Sequence, residues 1–314
     1  TPLMLVELQY EGFTGYGEAS MVPYMGESVA TATAFLKKLD LSQFTFPFNF
    51  EELISYLDDL EPGQPAIKAA IDIALHDLSG KLLNKPCYQL FNAEPSLMPQ
   101  TTYTVGIDEP AIILKKVNEA IAYGFKLLKV KLGRDTDKIL IDTIRQVTDL
   151  PIYVDANQGW LNKEKGLEMA HWLSTKNVLL IEQPMPKEDI DGNAWLTQKS
   201  PVPIIGDEAV QRLADVAKAK GVYHGINVKL MKSAGMYEAS QMIATAKANG
   251  LKVLIGCMSE TSIATLAGAA LAPLADWADL DGPFLTANNP FKTPPFKHGK
   301  YILSNQPGLG IEFI

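Results

Sequence analysis

The stretch Thr101–Leu132, TTYTVGIDEPAIILKKVNEAIAYGFKLLKVKL, decides how the chain is organised. A short run rich in β-branched residues, Thr102–Gly106, gives way to a helical stretch, Pro110–Tyr123, and then to a second apolar run, Leu127–Leu132. That is the pattern of a strand, a crossover helix and a parallel strand. The rhythm continues, with strands expected at Ile152–Asp155, Val178–Glu182, Ile204–Asp207, Ile226–Leu230, Val253–Cys257 and Trp277–Leu280. Helices are expected between them at Asp135–Val147, Lys163–Ser174, Ala209–Lys220, Met236–Asn249 and Thr261–Ala272. Eight such strands point to an α/β fold closed as a barrel. An open doubly wound sheet is the alternative, and it is disfavoured because no Gly-x-Gly-x-x-Gly turn follows the first strand.

The residues before Thr101 read differently. The run Leu3–Gln9, the turn Glu11-Gly12 and then Gly15-Tyr16-Gly17-Glu18 predict a β-hairpin. Ser28–Leu39 and Phe50–Leu60 have helical apolar spacing. Pro65–Leu83 reads as a longer amphipathic helix carried by Ile67, Ala70, Ile71, Ala74, Leu75 and Leu78. The expected organisation is therefore an α+β domain over residues 1–98, a (β/α) barrel over 99–281, and a loop-rich tail over 282–314 that packs back on the first domain. The chain opens Thr1-Pro2 straight into a strand, without an initiator Met, so an N-terminal part of the first domain is expected to be missing.

Composition narrows the function. The 314 residues carry 28 basic and 36 acidic side chains, a net charge of −8, which argues against nucleic acid or an anionic membrane as the main partner. No apolar run approaches the roughly 20 residues of a membrane span, and no signal peptide is read at the start. Two distant cysteines, Cys87 and Cys257, do not make a disulfide framework and suit a reducing compartment, so a cytoplasmic location is expected. The four histidines show no metal-ligand spacing.

In a (β/α) barrel the active residues sit at the C-terminal ends of the strands. Those ends read Lys129-Val130-Lys131, Asp155-Ala156-Asn157, Glu182-Gln183-Pro184, Asp207-Glu208 and Asn227-Val228-Lys229. Charges that close apolar strands are rarely buried alone, so they are expected to meet at the barrel mouth. Asp155, Glu182 and Asp207 lie on three successive strands. Three converging carboxylates repel unless a cation joins them, and a hard divalent ion such as Mg2+ is expected with oxygen ligands. The bland reading has each acid capping a helix or pairing with a nearby lysine. Lys131 and Lys229 stand on strands four apart, on opposite sides of such a barrel. Repulsion between them, the cation and desolvation are expected to lower the lysine pKa towards that of a general base.

Taken in order, one per βα unit, these motifs resemble those of the enolase superfamily, muconate-lactonizing subgroup. So does the segment Asn227-Val228-Lys229-Leu230-Met231-Lys232-Ser233-Ala234-Gly235. Gly15–Ser20 resembles the capping domain of that superfamily, so the likeness covers nearly the whole chain. It implies a modified (β/α)7β TIM-type barrel under an α+β capping domain. It also implies Mg2+ on Asp155, Glu182 and Asp207, with Asn157 and Glu208 as supports just outside these ligands. Lys129 would face the substrate carboxylate, and Lys131 and Lys229 would move the α-proton through an enediolate.

Asp279 and Asp281 are two residues apart on the last strand and share one face. Such a pair suits a substrate ammonium group, although a solvated turn before Gly282-Pro283 is the plainer reading. It resembles the ammonium-binding pair of dipeptide epimerases, and Thr104, Cys257, Met258 and Ser259 resemble their substrate contacts. The implied activity is epimerisation of L-Ala-X dipeptides, L-Ala-D/L-Glu among them, by a homo-oligomeric enzyme with a small-molecule substrate. The alternatives are a cycloisomerase, an o-succinylbenzoate synthase or an N-acyl amino acid racemase. Glu-preferring members use an early capping-domain arginine, whereas the arginines here are Arg134, Arg145 and Arg212, all in the barrel region. The apolar loop Met21–Gly26 is expected to line the pocket, which keeps hydrophobic dipeptides open.

Overall fold

The computed structural model describes residues 1–314. Strands β1 (Leu3–Tyr10) and β2 (Phe13–Ser20) form an antiparallel hairpin in which Tyr10 faces Phe13. Its two-residue turn, Glu11-Gly12, has positive φ at both positions, the geometry that matches the twist of the flanking strands. Three helices follow, α1 (Val29–Leu36), α2 (Phe50–Leu60) and α3 (Pro65–Leu82). Gly15 and Gly17 let α3 lie directly on the hairpin, because a Cβ on either would run into the backbone of Ala74 or Ala70.

The amphipathic reading of α3 needs correction, since every residue from Ala66 to Gly80 is buried. The helix is enclosed by β2, by the barrel helix Met236–Ala248 and by the C-terminal tail. Its polar residues are tolerated there because they have partners. Lys68 donates to Asp58 and to the Glu61 carbonyl at 2.7 Å each, and Asp77 accepts from the backbone N–H groups of Tyr16 and Leu309.

The eight strands of the larger sheet are β3 (Tyr103–Val105), β4 (Leu128–Lys131), β5 (Ile152–Asp155), β6 (Val178–Glu182), β7 (Ile204–Gly206), β8 (Gly225–Lys229), β9 (Lys252–Gly256) and β10 (Trp277–Asp279). All neighbours are parallel and follow chain order, and a parallel bridge between Thr101 and Ala278 closes the ring. The helices between the strands are those expected, with two differences. A helix over Ile190–Lys199 joins β6 to β7, and the next helix covers only Leu213–Ala219. Gly192 and Asn193 in its opening turns hide the first from pattern reading. The second starts late because Ala209 is held in the preceding loop by the Gln183 side chain.

Alternation along the strands sorts the barrel interior into layers. Leu127, Tyr153, Leu180, Ile205 and Leu254 form a separate buried cluster against Trp277. Two residues further along their strands stand Lys129, Asp155, Glu182, Asp207 and Gly256. An apolar plug therefore underlies a polar layer at the C-terminal ends. After β10 the tail first packs on the barrel, where Tyr301 donates to the Leu280 carbonyl at 2.6 Å. It then reaches α3 and β2 through the Leu309 N–H on Asp77 and the contact of Phe313 with Tyr16. No helix is long and apolar enough to cross a membrane.

Candidate active site

The polar layer opens into a cavity of about 770 Å³, roofed by Val22, Pro23, Tyr24 and Met25 of the loop after β2. Strand register sets its acids side by side. Lys131 pairs with Asp155 across β4 and β5, and Asp155 with Glu182 across β5 and β6. Asp207 stands one residue past β7. Oxygens of Asp155, Glu182 and Asp207 lie within 4.8 Å of one another, and all three residues are buried. Asn227 donates to Glu182 Oε1 at 2.7 Å. Glu182 Oε2 lies 2.7 Å from Lys129 Nζ at an angle that leaves it without a hydrogen bond. Three buried, converging carboxylates, one with an unsatisfied oxygen, fit a hard divalent cation such as Mg2+.

Lysines surround this triad. Lys129 Nζ is 3.0 Å from Asp155, 2.7 Å from Glu182 and 2.7 Å from Asp279. Lys131 Nζ meets Asp155 Oδ2 at 2.7 Å, and Lys229 Nζ meets Asp207 Oδ2 at 2.7 Å. Lys131 is on β4 and Lys229 on β8, four places apart in a ring of eight strands. Burial alone would raise Asp155 and Asp207, but Lys129 and Lys131 outweigh it at Asp155, as Lys229 and Lys232 do at Asp207, so both acids are held low. Glu182 is pushed up to about 8 by burial and by Asp155.

Among the side chains alone, two opposing influences act on Lys229, for which a lowered pKa is expected when the triad holds its cation. Burial works in that direction, yet Asp207 and Glu182 overcome it and hold the ammonium above its ordinary value. A cation on the triad would weaken the hold of Asp207 and Glu182 on Lys229, and it is for that metal-bound site that a lowered lysine pKa is expected.

The acids of the last strand come together as expected but are not equivalent. Asp279 accepts from Thr102 Oγ1 at 2.5 Å and from Lys129 at 2.7 Å. Asp281 accepts the Thr104 N–H at 2.6 Å, and its other oxygen faces the Cys257 thiol at 3.8 Å. Burial and the neighbouring Asp279 push Asp281 up to about 6. Thr104, Cys257, Met258 and Ser259 all line the cavity. Met258 Sδ accepts the Tyr24 hydroxyl at 3.2 Å, and the Ser259 carbonyl accepts Ser20 Oγ at 2.8 Å. Asn157 donates its backbone N–H to Asp155 Oδ1 at 3.0 Å and its side-chain amide to Glu208 Oε1 at 3.3 Å.

Sequence reasoning missed Thr102, Gln183, Asn227 and Lys232 as members of this network. Thr102 and Asn227 could have been found from strand parity, since they point inward with Thr104 and Lys229. Gln183 and Lys232 lie beyond their strands, where periodicity carries no signal.

Comparison with known proteins agrees with this geometry. Residues 113–314 match the family model described as Enolase C-terminal domain-like, and residues 1–91 match Mandelate racemase / muconate lactonizing enzyme, N-terminal domain. The L-Ala-D/L-Glu epimerase of Bacteroides thetaiotaomicron is 52% identical over 311 residues, covering 99% of this chain and 81% of that protein. The crystal structure of a dipeptide epimerase from Enterococcus faecalis, complexed with Mg and the dipeptide L-Leu-L-Tyr, superposes with a TM-score of 0.90 at 32% identity, covering 99% of this chain and 91% of that one. The N-succinyl Arg/Lys racemase of Bacillus cereus superposes with a TM-score of 0.90 at 30% identity, covering 100% of this chain and 88% of that one. The chain belongs to the enolase superfamily, in the family of mandelate racemase and muconate lactonizing enzyme.

Proposed function

We propose that this chain epimerises dipeptides of the L-Ala-X type, L-Ala-D/L-Glu among them, at the α-carbon of the C-terminal residue. The observation that carries the reading is the opposition of Lys131 and Lys229 across the closed barrel, each against a carboxylate of the same triad. The similarity to enzymes named as dipeptide epimerases supports it.

Asp155, Glu182 and Asp207 would hold Mg2+, which supplies Lewis-acid stabilisation of the charge that builds on the substrate carboxylate. Lys129, enclosed by three acids, adds fixed positive charge beside that position. Lys131 Nζ takes the α-proton on one face and Lys229 Nζ returns one on the other. Each lysine must first release its carboxylate partner. Asp279 and Asp281 receive the substrate ammonium, Asp281 the more directly because Lys129 and Thr102 already occupy Asp279. Thr104, Cys257, Met258 and Ser259 bound the substrate, and Asn157 and Glu208 hold the ligand loops. In this reading residues 1–98 act as the cap, 99–281 as the catalytic barrel and 282–314 as a tail that ties the two together. Two buried, unpaired cysteines, Cys87 and Cys257, support a reducing compartment.

The test is incubation of a dipeptide library in D2O with Mg2+, read by mass spectrometry. Exchange at the α-carbon of Ala-X dipeptides is expected, and the side chains that exchange fastest define X. No exchange on any dipeptide, together with exchange on N-succinyl amino acids, would transfer the reading to an N-acyl amino acid racemase, the activity that the likeness to the Bacillus cereus enzyme favours.

A further inference from the structure

Lys232 has no part in the proton transfer just described, yet it is among the most enclosed charges in the molecule, 2% exposed. It lies in the turn after β8, where its own N–H donates to the Lys229 carbonyl at 2.9 Å. Its Nζ has four acceptors: the Asp207 carbonyl at 2.7 Å, Asp207 Oδ1 at 2.6 Å, the Val210 carbonyl at 2.9 Å and the Asn227 carbonyl at 2.9 Å. An ammonium has only three N–H bonds, so one is shared and none is left for a substrate. Of the acids in the mouth it pairs with Asp207 alone.

The consequence falls on Asp207. Holding the carbonyl and one carboxylate oxygen of the same residue fixes the rotation of that side chain. The backbone N–H of Asp207 is held separately, by Gln183 Oε1 at 2.9 Å. With Oδ1 taken, Oδ2 is the oxygen turned to the mouth, where Lys229 meets it at 2.7 Å. Strand β7 is only three residues long and ends at Gly206, so its pairing alone does little to aim the next side chain.

We propose that Lys232 is a positioning residue for the cation site, one that sets the Asp207 carboxylate so that Oδ2 is presented to the ion. This rests on the reading that Asp155, Glu182 and Asp207 hold a divalent cation.

Charge and positioning predict opposite signs for removal of this lysine. If Lys232 only balances charge, Lys232→Met leaves a more negative triad and Mg2+ binds more tightly. If it positions Asp207, the same variant binds Mg2+ more weakly, by roughly 10- to 100-fold, as for other residues that orient metal ligands. Isothermal titration of EDTA-treated, full-length protein with Mg2+ reads this directly, with Asp207→Asn as the control expected to lose binding. Lys232→Gln, which keeps a donor at shorter reach, is expected to fall between wild type and Lys232→Met. Unchanged or tighter binding in either folded variant overturns the inference. So does failure of both variants to fold in EDTA, which would make the lysine a support of the fold rather than of the ligand. A wild-type protein that takes up no Mg2+ overturns the cation reading itself. Wild-type uptake with an unaltered Lys232→Met overturns only the role of Lys232.

Discussion

Glu18, near the end of the hairpin strand β2, accepts the backbone N–H of Thr261 at 2.8 Å and so caps the barrel helix Ser262–Leu271 from the other side of the cavity. Its second oxygen takes the Thr261 hydroxyl and the Ala264 N–H. A carboxylate at a helix N-terminus meets both the open N–H groups and the positive end of the helix dipole. Two residues on, Ser20 holds the Ser259 carbonyl. The roof of the cavity and the Met258-Ser259 wall are therefore tied together. Removing the carboxylate with Glu18→Ala leaves buried donors without a partner, and a loss of about 2–3 kcal/mol in unfolding free energy is expected by urea titration. The dipeptide KM should rise more than kcat falls, because the damage lies in the wall and not at the lysines.

Two bases on opposite faces make a prediction that a single base does not. Lys131→Ala and Lys229→Ala should each lower epimerisation by roughly 10²- to 10⁴-fold, the usual contribution of a general base. Each variant should still exchange the α-proton of one diastereomer with D2O, and the two should retain opposite diastereomers. NMR of the α-proton distinguishes them. Loss of exchange on the same diastereomer in both variants would contradict the two-base reading.

Asp281 is raised to about 6 by burial and by Asp279, so in the free protein the acid pair loses a charge as pH falls through that value. A neutral carboxyl holds a substrate ammonium poorly. The profile of kcat/KM for a dipeptide should therefore fall below pH about 6, following the free enzyme. Asp281→Asn should raise KM across the whole range and flatten that limb, while Mg2+ binding stays close to wild type.

Glu27 is buried beside α3, where it accepts the Ala66 N–H at 2.9 Å and anchors the roof loop that precedes it. Burial outweighs the N–H groups of Ala66 and Ile67 and the charge of Lys68, and raises this carboxyl to about 7. The sign follows from linkage. Between its ordinary pKa and about 7 the folded state binds the proton more tightly than the unfolded chain, so stability falls as pH rises across that window. Glu27→Gln cannot ionise. Its melting temperature relative to wild type should climb between pH about 5 and about 7 and level off above, as read by thermal melts in a pH series. A flat difference would show that Glu27 does not titrate in that window.

Much of the site was legible because strand-end chemistry is local. The strands Ile152–Asp155 and Val178–Glu182 run as the sequence indicates, and their last residues are the acids expected there. Inward parity places Lys129 and Lys131 on one face without any knowledge of the partner strand. The helix Ile190–Lys199 was not legible, because its first turn is Asp-Gly-Asn and its cap, Asp189 to the Gly192 N–H, looks like a loop until its backbone is seen.

By itself the sequence determined the order of the eight barrel strands, the three acids and the lysines at their ends, and the acid pair near the end of the barrel. Each of these follows from period, spacing or strand parity within a few residues. Only the tertiary structure decided who holds whom: Lys129 on Asp279 across 150 residues, Lys232 on Asp207 beyond the strand, Glu18 on a helix of the other domain. The physical reason is that hydrogen bonds and ion pairs depend on distances of a few ångströms. In a barrel those distances are set by closure between Thr101 and Ala278 and by the cap laid over the mouth, which no local pattern contains.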